Sequence, residues 1–156
     1  LIKERLKILN EENIEKMISL GYSFHEILTL ASIVEAETPH KEELRTVSGL
    51  YHNRLKKGML LQADPTVQFA KGNKGRVLYK DLEIRNPYNT YVFVGLPPGP
   101  INYPGDAAIE ATLNPEKHDY YYMVAIGDGS RKHNFAKTNS EHMANVREYR
   151  INRRNN

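Results

Sequence analysis

The sequence predicts an α+β fold: a single domain in which helices pack around a small mixed or antiparallel sheet. In the first half, apolar residues recur at helical spacing, whereas β-branched and aromatic runs at residues 91–94 and 120–125 have the composition of strands. The chain has 156 residues, of which 40% are hydrophobic and 26% charged, as in a globular protein that buries its own core. Neither a repeat nor a linker divides it.

Two helices are predicted at the N-terminal end. Residues 1–20 carry apolar side chains at helical spacing, and Gly21 is a typical C-terminal stop. The next helix is expected over residues 24–38, because Ser23 and Glu26 have the spacing of a capping box. The Thr-Pro dipeptide that follows ends it, since the residue before a proline disfavours the helical conformation.

The remaining elements follow from apolar patterns and from residues that favour turns. Further helices are predicted at 44–57, 64–70, 107–113 and from 139 onwards. Strands are predicted at 59–61, 91–94, 120–125 and 132–136, the last after a Gly-Asp-Gly hairpin turn at 127–129. Residues 71–80 are expected to form a polar loop rich in glycine and lysine.

The helix over 24–38 ends in two carboxylates, Glu35 and Glu37, that border its apolar stripe. A carboxyl held against apolar neighbours loses hydration, and its pKa rises towards the range of a general acid, as glycosidic bond cleavage requires. Two positions apart on a helix, the two side chains point about 200° away from each other, so they cannot act as a pair on one bond. Spacing alone does not decide which of the two is the general acid. It is also compatible with the alternative that both are surface carboxylates that merely end the apolar stripe.

The segment 86–105 is rich in residues that restrict the backbone or permit unusual conformations. It holds five of the 8 prolines and three of the 10 glycines. It also carries three tyrosines beside three asparagines: Tyr88, Tyr91, Tyr103, Asn86, Asn89 and Asn102. Rings that stack on sugars, next to amides that bond hydroxyl and acetamido groups, indicate a carbohydrate groove. The alternative is a segment that only covers the core.

Several motifs occur together and in order along the chain. They are Leu-Thr-Leu-Ala-Ser-Ile-Val-Glu-Ala-Glu at 28–37, Asn-Arg-Leu at 53–55, Gly-Met-Leu-Leu-Gln-Ala-Asp-Pro-Thr-Val at 58–67, Tyr-Asn-Thr-Tyr at 88–91, Gly-Leu-Pro-Pro-Gly-Pro-Ile at 95–101 and His-Asn-Phe at 133–135. In this combination they resemble the YceG-like endolytic murein transglycosylase family, over residues 23–149.

The resemblance implies roles for individual residues. Glu35, which follows Ala-Ser-Ile-Val, matches the catalytic acid of the family, and Glu37 would then support it. The substrate-binding residues that the resemblance implies are Gln62, Asp64, Thr66, Asn89, Tyr91, Leu96, Pro97 and His133. Asp64 precedes a proline, so it is also a candidate helix cap, and as a second carboxylate it is a candidate nucleophile.

The implied activity is cleavage of the MurNAc-β-1,4-GlcNAc bond of peptidoglycan with formation of a 1,6-anhydro-MurNAc end, one glutamate acting first as acid and then as base. A hydrolytic muramidase is the closest alternative, since it differs only in whether water attacks. A non-catalytic peptidoglycan-binding module is a further alternative, although binding needs no acid of raised pKa. The pI near 9.0 would suit a nucleic-acid-binding domain, but no docking motif accompanies it, and no nucleic-acid partner is predicted.

No cofactor and no metal is predicted, because the chain has 0 cysteines and its 6 histidines are scattered without metal-binding spacing. The chain begins at Leu1 within a polar helical pattern, so residues 1–22 are interpreted as a helical lead-in from a missing N-terminal region and residues 23–156 as the catalytic domain. The resemblance implies an upstream membrane anchor and a location at the extracytoplasmic face of the bacterial cytoplasmic membrane. It also implies peptidoglycan strands as substrate, with cell-wall synthesis proteins as partners.

Overall fold

The computed structural model describes residues 7–156, so the first six residues of the predicted N-terminal helical stretch lie outside the described part. Six complete helices are α1 (Glu11–Leu20), α2 (Phe24–Glu37), α3 (Leu44–Lys57), α4 (Asp64–Lys71), α5 (Asp106–Leu113) and α6 (Asn139–Asn155). The strands are β1 (Tyr122–Ala125) and β2 (His133–Ala136), and short 3₁₀ turns lie at Lys41–Glu43 and Tyr79–Glu83. The predicted α+β class is confirmed.

The ends of α1 and α2 have the predicted caps. Gly21 adopts a left-handed conformation with φ 81°, which a glycine tolerates without strain, and it ends α1. At the start of α2 the Glu26 N–H donates to Ser23 Oγ at 3.2 Å, and the Ser23 N–H donates to Glu26 Oε1 at 3.0 Å. Both bonds of the capping box are therefore present, and they fix where the acid-bearing helix begins.

Helix α2 lies at the centre of the core and belongs to both apolar clusters. Leu30, Ile33 and Val34 pack in a cluster with α3 and the segment before α4. Ile27 and Ala31 pack in a second cluster with α5 and α1. The C-terminal end of α2 is therefore held rigidly, and the two carboxylates that follow start from a fixed backbone. The predicted division of the chain into a helical lead-in (1–22) and a catalytic domain (23–156) stays a prediction.

The sheet is an antiparallel hairpin with Tyr122 opposite Ala136 and Ala125 opposite His133. The strands predicted at 120–125 and 132–136 are confirmed, whereas the strands predicted at 59–61 and 91–94 are wrong. Residues 91–94 form a turn because Asn89 binds their backbone: its side-chain oxygen accepts from the Tyr91 N–H at 2.9 Å, and its carbonyl accepts from Val92 and Phe93. β propensity loses to this local hydrogen bonding.

The proline-rich segment 86–105 is joined to α2 by hydrogen bonds. The Ile101 N–H donates to Ser32 Oγ at 3.0 Å, and the Asn102 side chain donates to the Ser32 carbonyl at 2.8 Å.

Among the described residues, no single helix combines the length and the hydropathy needed to cross a bilayer. Helices α1 and α2 meet those criteria only as a pair, and that pair is bent by 83°.

Candidate active site

A groove with a volume of about 580 Å³ opens beside the C-terminal end of α2. Its first wall consists of Glu37, side chains of α3, and Leu61, Gln62, Asp64 and Tyr91. Its second wall consists of β1, His133 and the inner face of α6. The groove is open and carries polar and aromatic side chains, as a saccharide site requires.

Glu37 projects into this groove, and its carboxyl is enclosed by protein although the residue keeps some exposed surface. The pKa of Glu37 is raised to about 7, chiefly by burial; a hydrogen bond with Tyr51 lowers the pKa, and the charge of Asp64 raises it. Tyr51 itself is only 1% exposed, so its ring position is fixed by the core. A carboxyl with such a pKa is partly protonated near neutrality and can donate a proton to a substrate.

Asp64 and Tyr91 form a hydrogen-bonded pair on the same wall. The Tyr91 hydroxyl donates to Asp64 Oδ1 at 2.5 Å. Burial raises the pKa of Tyr91, and the bond to Asp64 raises it further, so the phenol stays protonated and keeps donating. The pair therefore presents a fixed carboxylate oxygen to the groove. Asp64 is the first residue of α4 and follows the N-cap Ala63, so it does not cap this helix as one alternative suggested.

Glu35 lies on a different side of α2. Its Oε1 accepts a hydrogen bond from the Gly105 N–H at 2.9 Å, at the N-cap of α5. The carboxylate thus interacts with the partial positive charge at the N-terminus of that helix. Glu35 lines a smaller pocket that also contains Glu37, Arg131 and His133, but it does not line the main groove. The two acids diverge as their spacing predicts.

The other predicted binding residues divide into two groups. Gln62 lines the groove and holds a left-handed backbone conformation with φ 50°, a strained position for a non-glycine residue. Thr66 and Asn89 are fully buried, and their side chains bond to Thr90 and to the backbone of the neighbouring turn. They shape the segment that carries Tyr91. Direct contact of either side chain with substrate has no support in this geometry.

Leu96 and Pro97 also lie away from the groove lining. Leu96 packs against the main apolar cluster, and Pro97 is buried. They hold the segment after Tyr91 against the core. Their predicted contact with substrate stays a prediction, and the groove as it stands does not include them.

His133 lines both pockets and is held by a buried carboxylate. Its Nδ1 lies 2.9 Å from Glu43 Oε1, and its backbone N–H donates to Glu43 Oε2 at 2.8 Å. Thr38 donates to the same carboxylate at 2.8 Å. Although burial alone would raise it, these bonds hold the pKa of Glu43 below its usual value. His133 therefore has a fixed ring orientation beside Glu37.

Several groove residues were not predicted from the sequence. They are Tyr51, Arg54, Tyr122, Asn139, His142, Met143 and Tyr149. Arg54 stands in the Asn-Arg-Leu motif, which was a usable signal. The others belong to helix and strand faces whose approach to α2 is decided by tertiary packing, and sequence spacing carries no information about that.

The fold and the site define an α+β protein whose central helix ends at a carboxyl suited to proton donation, set in an open polar groove. The model of the YceG-like family matches residues 1–148, and the chain belongs to this family. A crystal structure of a YceG-like protein from Listeria monocytogenes superimposes with a TM-score of 0.81 and 41% identity, covering 89% of this chain and 45% of that chain.

Two relatives are similar over most of this chain. An endolytic murein transglycosylase of Bacillus subtilis (strain 168) is 50% identical over 121 residues, which are 77% of this chain and 33% of the relative. An endolytic murein transglycosylase of Streptococcus pneumoniae (strain ATCC BAA-255 / R6) is 35% identical over 150 residues, covering 86% of this chain and 27% of the relative. The chain spans 33% or less of the length of these two relatives.

Proposed function

We propose that this chain is the catalytic part of an endolytic peptidoglycan lytic transglycosylase, which cleaves the bond between MurNAc and GlcNAc within glycan strands. The observation that carries the proposal is Glu37, a carboxyl with a pKa of about 7 in a groove that can hold a saccharide. The names of the relatives, endolytic murein transglycosylase, support the substrate class. A module that only binds peptidoglycan would have no use for a carboxyl in this state.

In the proposed mechanism Glu37 is first an acid and then a base. The protonated carboxyl gives its proton to the glycosidic oxygen, the bond from that oxygen to C1 of MurNAc breaks, and GlcNAc leaves as an alcohol. The resulting carboxylate takes the proton from the C6 hydroxyl of MurNAc while O6 bonds to C1. The product is a 1,6-anhydro ring, no water is consumed, and Glu37 regains its proton.

Asp64 is proposed to stabilise the positive charge that develops on the sugar ring before ring closure. Its carboxylate is held by Tyr91 and lies close enough to Glu37 to influence its pKa. A fixed negative charge near a developing oxocarbenium ion lowers the barrier without forming a covalent bond. If Asp64 instead acted as a nucleophile or positioned a water molecule, the product would be that of a hydrolytic muramidase.

The resemblance predicted Glu35 as the acid. The geometry favours Glu37, because Glu35 already accepts a hydrogen bond from α5 and does not line the main groove. Glu35 is proposed to join α2 to α5. Compared with the roles that the resemblance implied, the two are exchanged: Glu37 is proposed as the acid and Glu35 as the supporting residue.

A matched pair of substitutions tests this assignment. We expect Glu37→Gln to lower the rate of glycan cleavage by roughly 10²–10⁴-fold, since an amide keeps the shape but cannot donate the proton. Glu35→Gln should keep most of the activity, because an amide oxygen still accepts from the Gly105 N–H. Rates are measured on purified glycan strands, with circular dichroism as the folding control. Full activity in Glu37→Gln and none in Glu35→Gln would assign the acid to Glu35.

Mass spectrometry of digested glycan strands tests the reaction itself. A lytic transglycosylase gives ends that are lighter by one water than those of a muramidase. Ends of the heavier kind would replace the proposed reaction by hydrolysis. Fragments of many lengths at early times would support cleavage within strands rather than from their ends.

The proposed setting is the bacterial cell envelope, at the extracytoplasmic face of the cytoplasmic membrane, where peptidoglycan is accessible. The relatives named as murein transglycosylases support an envelope role. An anchor outside this chain and partners among cell-wall synthesis proteins are part of the proposal.

A further inference from the structure

Arg54 is a buried cation that has no carboxylate partner among the residues that the structure describes. The residue is only 7% exposed and lines the groove. Within residues 7–156 its guanidinium takes part in none of the ion pairs, which involve other side chains. Buried charges in proteins are normally paired, because removing a charge from water is costly. An unpaired guanidinium beside an open groove therefore indicates that an anion binds there.

The hydrogen bonds of Arg54 fix its orientation but leave donors free. Nε donates to the Tyr121 carbonyl at 2.7 Å, and Nη1 donates to the Leu60 carbonyl at 2.7 Å. The guanidinium lies over the Tyr122 ring, 5.3 Å from its centroid. No hydrogen bond from Nη2 is formed with the part of the chain that the structure describes. The guanidinium is thus held in a fixed orientation, and its Nη2 remains available as a donor.

His142 supplies a second unused donor at the same place. Its ring stacks on Tyr122, with 5.2 Å between centroids and 24° between planes. Its Nδ1 is enclosed and has no hydrogen-bond partner among the described residues. Burial lowers the pKa of His142, and the charge of Arg54 lowers it further, so the ring is neutral near pH 7 and can donate through an Nδ1–H tautomer.

We propose that Arg54 and His142, joined through Tyr122, form a site for a carboxylate carried by the glycan strand. This inference rests on the proposed function. Arg54 belongs to α3, whereas Tyr122 and His142 belong to β1 and α6, so the site lies where the two walls of the groove meet. The rest of the groove presents Glu37 and Asp64, which disfavour an anion.

Two groups of a peptidoglycan strand provide this chemistry. One is the lactyl carboxylate of a muramyl residue, which is free only after the stem peptide has been removed. The other is a carboxylate of the stem peptide itself. Both would be bound by a guanidinium and an imidazole N–H in the same way, so strands that differ in one group at a time distinguish them.

The experiment measures binding to the Glu37→Gln variant, which is expected to bind strands without cleaving them. Four strands are compared by calorimetry: peptide-free strands, the same strands with the lactyl carboxyl reduced to an alcohol, peptide-bearing strands, and peptide-bearing strands with all carboxyls amidated. We expect one carboxylate form to bind roughly tenfold or more tightly than its uncharged counterpart, as a charge-assisted hydrogen bond would give. The pair that shows the difference identifies the source.

Substitutions locate the preference. Arg54→Gln should abolish it, and His142→Phe, which keeps the stacking on Tyr122 and removes Nδ1, should weaken it severalfold. Lys57→Gln is the control, because Lys57 is a cation of the same helix that lies over the Tyr121 ring outside the groove lining. If Arg54→Gln does not fold, the proposal is still tested by His142→Phe and by the comparison of the four strands on the Glu37→Gln variant with Arg54 and His142 intact.

Equal binding of charged and uncharged strands would overturn the carboxylate site and leave the proposed function standing. A preference retained in both Arg54→Gln and His142→Phe would also overturn it. Absence of binding to all four strands would instead contradict the proposed function.

Discussion

Glu37 couples the stability of the fold to pH. Its pKa is about 7 in the folded protein against an ordinary value of 4.5, so the folded state holds the proton more tightly than the unfolded chain. The stability that this contributes is fully present below pH 4.5 and is lost as the pH rises through 7. An ionised carboxylate in this environment therefore opposes folding.

We accordingly expect Glu37→Gln to raise the free energy of unfolding above pH 7 by about 1–3 kcal/mol relative to the unsubstituted chain, and to change it little in acid. Urea unfolding followed by circular dichroism at several pH values provides the measurement. Glu35→Gln is the control, because its carboxylate is not the enclosed one. A difference in the free energy of unfolding between Glu37→Gln and the unsubstituted chain that does not vary with pH would show that the carboxyl of Glu37 is not enclosed.

The Tyr91 hydroxyl is expected to matter for turnover more than for folding. Tyr91→Phe keeps the ring but removes the donor to Asp64, so that carboxylate loses a fixed orientation. We expect kcat to fall by roughly tenfold, corresponding to the loss of one hydrogen bond to a charged group, with a small change in Tm. Tyr88→Phe is the comparison, since the Tyr88 ring packs on Phe69 outside the groove. Equal effects of the two substitutions would remove Tyr91 from the site.

At the scale of elements, the contact between the hairpin and α6 determines the second wall of the groove. Gly127 has a φ of 84°, and a Cβ there would lie 2.8 Å from the Tyr149 ring. Gly129 has a similar φ of 89° but nothing within 4 Å of the same position. Alanine at either glycine strains the backbone, and only at Gly127 does it also displace Tyr149.

We therefore expect Gly127→Ala to raise KM for glycan strands severalfold more than Gly129→Ala. Both should lower the Tm through backbone strain, and Gly127→Ala should lower it further through the contact with Tyr149. Steady-state kinetics and differential scanning calorimetry on the pair give the two quantities. If KM rises equally in both variants, the position of Tyr149 does not affect substrate binding.

Sequence patterns located the elements that depend on neighbours in the chain and missed contacts between distant ones. The limits of α2 followed from its capping box and from the Thr-Pro dipeptide after it, both of which are local. Residues 91–94 have strand composition, yet Asn89 turns their backbone, so a hydrogen bond from one side chain outweighs propensity. The Arg54–Tyr122–His142 group joins three elements, and no spacing rule connects such positions.

The candidate site was predicted in part for the same reason. The carboxylates of α2, Gln62, Asp64, Tyr91 and His133 were singled out from motifs, and the structure places Glu37 with the last four in one groove. Spacing could not decide which carboxylate faces it, because that depends on where α5 docks. The Gly105 N–H donates to the Glu35 carboxylate, so Glu35 faces α5 and Glu37 faces the groove.

For the whole molecule we expect cleavage activity to survive exhaustive treatment with EDTA. Among the described residues, no group of three or more acidic or histidine side chains is arranged to hold a metal ion. The acid–base route proposed here needs a protonated carboxyl and a fixed carboxylate. Activity is measured on glycan strands before and after chelation. Loss of activity that zinc or calcium restores would replace this route by metal-assisted hydrolysis.

Helix α6 forms much of the second wall, yet none of its residues is buried. It is joined to the hairpin by polar side chains, as where Asn152 donates to the Ile126 carbonyl at 2.8 Å and Asn134 donates to Glu148 at 2.8 Å. The first wall, in contrast, is continuous with the core. Mutations on the inner face of α6 can thus accumulate with little cost in foldability, whereas the acid-bearing wall is constrained. Over evolution, the preference for the groups that a glycan strand carries can therefore diverge while the bond-cleaving chemistry stays the same.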